Sequence, residues 1–134
     1  MIRTPRHPFP TFLRTDLLPN GSAPRRRFRV VRPFTYVRAS GEKIVVPIGR
    51  VCDGASIPRF WWRLIGPPWG LYAEASVIHD HLWMVAREWA QNAREEALGN
   101  WQGIARGMYD HANRVFNEAL RDCHVAYWRR VASW

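Results

Sequence analysis

The sequence predicts an α+β fold: a small antiparallel sheet, a hairpin of two or three strands, packed against two long helices and preceded by an extended proline-rich arm. Residues 28–48 are rich in β-branched and aromatic side chains around the turn Ala39-Ser40-Gly41-Glu42. Two later stretches, about 71–89 and about 103–124, repeat apolar residues at three- and four-residue spacing. Residues 1–27 contain Pro5, Pro8, Pro10, Pro19 and Pro24, which fit neither period. A chain of 134 residues, 47% hydrophobic and 23% charged, can bury one core. The expected organisation is therefore an arm over residues 1–27 and a single domain over 28–134.

Within the sheet region, Arg27 to Arg32 alternates imperfectly, Phe34-Thr35-Tyr36-Val37-Arg38 continues the pattern, and Lys43 to Ile48 returns after the turn. Pro33 and Pro47 have no N–H to donate, which places them at strand ends or edges. An irregular loop opens at Gly49, and Pro58 to Ile65 can form a helical turn or two before Gly66-Pro67-Pro68-Trp69-Gly70 stops it. In the first long helix Ala75, Ser76, His79, Leu82, Trp83 and Ala86 share a face. Gly99-Asn100 breaks the helical pattern, and the last helix sets Met108, Ala112, Val115, Phe116, Ala119, Leu120 and Cys123 on one stripe. The expected core comprises Val30, Tyr36, Ile44, Val46, Ile57, Val77, Trp83, Met108, Val115, Phe116 and Leu120.

The formal net charge is +9, and Lys43 is the only lysine. Arginine suits bidentate contacts to carboxylate or phosphate, yet the arginines are scattered along the chain and no recognition-helix, RNP-type or zinc-finger pattern accompanies them. Nucleic acid is therefore a partner the charge admits but does not favour. Cys52 and Cys123 form no CxxC pair, so reduced thiols are expected. No stretch reads as a signal peptide or a membrane span, which implies synthesis in the cytoplasm.

Chemistry concentrates between Val51 and Trp83. The loop Asp53-Gly54-Ala55-Ser56-Ile57-Pro58 precedes the helical run Ile78-His79-Asp80-His81. Together with Val46-Pro47-Ile48-Gly49, Trp69-Gly70 and Ala112-x-x-x-Phe116, these residues resemble the small phage and prophage proteins catalogued as domain of unknown function 1353, over roughly residues 34 to 122. The resemblance implies a phage or prophage origin without implying a reaction. In two places the chain departs from that pattern: Cys52 replaces a threonine before the loop, and Asn113 stands where the family's last helix carries aspartate.

One reading has Asp53, His79 and Asp80, with His81 and Asn113 as further candidates, converge on a divalent metal such as zinc; in a hydrolase Asp53 and His79 would hold the ion while Asp80 or His81 moves protons. The other has Asp53 brace its own loop while His79 pins that loop to the helix. The brace is favoured, because successive helical residues such as His79 and Asp80 point about 100° apart. A nucleophile at Cys52 or Ser56 served by His79 is weaker, since Ser56 lies in no Gly-x-Ser-x-Gly elbow. Phe9 and Phe12 in the arm, and Trp128, Arg129, Arg130 and Trp134 at the C-terminus, are aromatic and arginine side chains of the kind that anchor interfaces. The expected function is a virion structural or assembly protein at the tail or tail tip, binding other virion proteins in an oligomeric assembly. Its competitors are a small metal-dependent hydrolase acting on cell wall and a host-directed or nucleic-acid-associated regulator.

Overall fold

The computed structural model describes residues 7–18, 27–52 and 73–132, with the backbone alone for Leu17 and residues 125–132. The fold is α+β and divides into two compact units, Met1–Asp53 and Gly54–Trp134.

The first unit carries five strands: β1 (Thr15–Leu17), β2 (Phe28–Val30), β3 (Phe34–Val37), β4 (Lys43–Val46) and β5 (Val51–Cys52). They form two antiparallel sheets, β1-β2-β5 and β3-β4, where one sheet was expected. Two features divide them. The chain bends at Arg32-Pro33, ending β2. After β4, Pro47 and Gly49 (φ 90°) turn the chain back, and β5 runs beside β2. The Gly49 N–H donates to the Val30 carbonyl at 2.7 Å, and the Val30 N–H donates to the Arg50 carbonyl at 2.8 Å. In β3-β4, Phe34 pairs with Val46 and Tyr36 with Ile44, all four buried, while their neighbour Val45 faces solvent. This is the period-two alternation of a sheet with one covered face.

The described part of the proline-rich segment is extended, as expected, but it is built into the sheets. Thr15–Leu17 pairs with β2. Ahead of it, residues 8–11 run along the open side of β3: the Val37 N–H donates to the Pro8 carbonyl at 2.8 Å, and the Thr35 N–H donates to Thr11 Oγ1 at 3.0 Å. The Phe9 ring lies over the rings of Phe34 and Tyr36, 6.0 and 5.2 Å away.

The second unit is an antiparallel helical hairpin of α1 (Ala73–Glu95) and α2 (Trp101–Ala132). Both helices outrun their expected ends, because nothing in Gln91–Glu95 breaks a helix and no glycine or proline follows Gly107 in α2. The residues of α1 from Ala75 to His81 are all buried, so this part of the helix is covered on every side. Beyond it burial narrows to Ala86 and Ala93, matched on α2 by Ala105, Ala112 and Ala119. This seven-residue spacing of small side chains lets the helices approach closely. The alanine seam also leaves Met108, Leu120 and Trp83 at its flanks, half-buried where full burial was expected. Val30, Tyr36, Ile44, Val46, Val77, Val115 and Phe116 are core residues as expected, and Ile57 lies outside the described residues.

Helix α1 ends in a Schellman arrangement. The Leu98 N–H donates to the Ala93 carbonyl and the Ala97 N–H to the Arg94 carbonyl, with Ala97 in the left-handed region at φ 54°.

Candidate functional site

His79 is 3% exposed and faces α2. Its Nε2 lies 2.9 Å from Asn113 Oδ1, and the Trp83 indole Nε1–H donates to the same oxygen at 3.4 Å. Indole N–H is only a donor, so the Asn113 atom that meets it is the carbonyl oxygen. Nε2 therefore carries the hydrogen and donates, leaving Nδ1 as the basic nitrogen of the neutral ring. Burial lowers the His79 pKa below its ordinary 6.5, against smaller upward contributions from the Asn113 bond and the nearby Asp80 carboxylate. At neutral pH the ring is thus uncharged.

Aromatic side chains flank the imidazole, while Asn113 is exposed. The Phe116 ring is centred 4.6 Å from the imidazole and the Trp83 ring 5.8 Å, while Tyr109 packs on Trp83 at 4.5 Å. Helical spacing produces this cluster: His79 and Trp83 lie one turn apart on α1, and Tyr109, Asn113 and Phe116 lie one turn apart on α2. Tyr109 was not singled out from the sequence, and Asn113 entered as a metal candidate rather than as an acceptor. The four- and three-residue steps from Tyr109 to Phe116 are the signal that places them on one face.

The other sequence candidates fall elsewhere. Asp80 and His81 are buried on α1, 5% and 9% exposed. Asp53 and Ser56 lie outside the described residues, and with them the proposed brace between loop and helix. Cys52 is a buried side chain of β5 and Cys123 one of α2. Phe9 packs on its own sheet, whereas Phe12 is 89% exposed. Trp128, Arg129 and Arg130 belong to the last turns of α2, where the backbone alone is described, and Trp134 lies outside. Among the described residues no three His, Cys, Asp or Glu side chains gather as a metal site. His79 and Asn113 contribute one imidazole and one neutral amide, and the imidazole nitrogen nearer α2 is already bonded. That chemistry suits a hydrogen-bonded clasp between helices better than a ligand set.

No helix among the described residues is long and apolar enough to cross a membrane. A stretch of 59 residues is 46% identical to the uncharacterized protein y4jT of Sinorhizobium fredii (strain NBRC 101917 / NGR234). The match covers 43% of this chain and 18% of the relative's length. No solved structure matches the chain. The family model described as protein of unknown function (DUF1353) matches residues 28–134, most of the chain including both helices and β2 to β5, and the protein belongs to that family.

Proposed function

We propose that this protein is a non-catalytic assembly component of a phage or prophage particle, docking at the tail or tail tip onto other virion proteins. The observation that carries the reading is Phe12. It stands 89% exposed on a segment whose neighbours are tied down, Thr11 by its bond to β3 and Phe9 by its stacking on Phe34 and Tyr36. An aromatic side chain held out from an ordered backbone loses little entropy on docking, the property of an interface anchor. The family resemblance supplies the phage setting, and the clasp at His79 gives that residue a structural role in the hairpin.

The test is mass spectrometry of washed particles from an induced host that carries the gene. The chain should be retained, and Phe12→Ala should lower its incorporation several-fold while the circular dichroism of the purified protein stays unchanged. A protein that is monomeric in solution and missing from washed particles would overturn the proposal.

A further inference from the structure

The positive charge is divided very unevenly between the two units. Residues 1–53 hold eleven Lys and Arg against three Asp and Glu, a balance of +8, whereas residues 54–134 hold nine against eight, a balance of +1. The arginines themselves divide almost evenly, ten and nine; the sheet unit is so positive because it holds few carboxylates to offset them.

Within that unit the strand register gathers several of them on one face. In β2, Val30 is buried and Arg29 is exposed, so Arg29 marks the outer face of the β1-β2-β5 sheet. Arg27 lies two residues before Arg29, and its carbonyl accepts the Leu18 N–H, which continues the β1-β2 ladder and keeps Arg27 on the same side. Asp16 sits opposite Arg29 on β1. Arg14 lies two residues before Asp16, its carbonyl accepting the Val31 N–H, and so joins this face too. Arg32, two residues after Val30, falls on the other side by the same alternation and does not join this face. Arg14, Arg27 and Arg29 are all exposed, and among the described residues none is in an ion pair; by contrast, Arg38 is held by Glu42 at 3.0 Å.

We infer that the outer face of the β1-β2-β5 sheet binds the phosphate backbone of nucleic acid. Same-face positions on a strand repeat about every 7 Å and diagonal positions across strands lie about as far apart. Guanidinium forks on such a grid can each take a separate phosphate oxygen pair. Among the described residues, the outward positions of the paired strands, Asp16, Arg29 and Val51, carry no aromatic side chain for base stacking or for insertion among lipid tails, which favours sequence-independent backbone contact over base readout or a membrane. Phe12 lies two residues ahead of Arg14, but the inference rests on the arginines alone and stands whether or not the docking proposal does.

The test is binding of the full-length protein to a labelled duplex of arbitrary sequence as salt rises. Three arginine–phosphate contacts give a log–log slope of about −2.7, or roughly a fortyfold loss of affinity between about 50 and about 200 mM salt. Arg27→Gln with Arg29→Gln should flatten the slope by about 2. Arg87→Gln with Arg121→Gln, which removes the same charge from exposed positions on the helices, should leave the slope nearly unchanged. The wild-type slope needs no variant, so a folding defect cannot mask the outcome. Absence of binding at low salt, equal losses in both double variants, or Arg27/Arg29-dependent capture by phosphatidylserine vesicles in place of the duplex would each overturn the inference.

Discussion

At the scale of single residues, Asn113 decides the character of the buried imidazole. Its oxygen serves two donors, His79 Nε2–H and Trp83 Nε1–H. Asn113→Ala leaves a buried imidazole N–H without that acceptor and should cost about 1–3 kcal/mol in chemical denaturation. Asn113→Asp places a carboxylate beside Nε2, so the His79 pKa should rise in an NMR titration. The stability curve follows. Because the folded pKa of His79 lies below 6.5, the unfolded chain binds the proton more readily. The wild-type contribution is complete above the unfolded value and is lost as pH falls from there through the lower folded value. In Asn113→Asp that acid loss should shrink. An unchanged titration in the variant would show that the oxygen does not govern the ring. His79 was legible in the sequence as a polar residue on a packing face, and Asn113 only as a metal candidate. Their bond was not, because it depends on how two helices align across 34 residues of chain.

Among the secondary-structure elements, the turn between the helices contains a local conflict. Ala97 occupies the left-handed position that closes α1, where a Cβ is unfavourable and glycine is usual. Ala97→Gly should therefore raise stability by about 0.5–1 kcal/mol, read as a higher denaturation midpoint with the same slope. A fall in the midpoint would mean that the gain in unfolded-chain entropy outweighs the relieved strain. The helices and the β3-β4 hairpin were legible because each announces itself through a local period. The division into two sheets was not. It turns on β5 pairing with β2 across more than twenty residues, and two residues of strand carry no period. The three-residue β1 was hidden likewise inside proline-rich sequence whose composition reads as an arm.

Across the whole molecule, the sheet unit carries nearly all the net charge and the helical unit is close to neutral, so the sequence pI of about 10.9 reflects chiefly one part of the chain. Long-range attraction to anionic partners then acts chiefly on the sheet unit. The sheet unit also has a boundary to protect. Lys43 and Pro47 border β4, a charged strand start and a residue that cannot donate, both of which discourage pairing by another chain. On the opposite side, residues 8–11 occupy the backbone groups of β3. A protein clipped between Arg14 and Thr15 would lose that cover, baring Thr35 and Val37 as a template together with the rings of Phe34 and Tyr36. Light scattering should then rise with time and concentration for the clipped protein and stay flat for the intact one. The front of the chain would thus act as a built-in guard against self-templated fibrils, making the integrity of a few N-terminal residues a condition of colloidal stability.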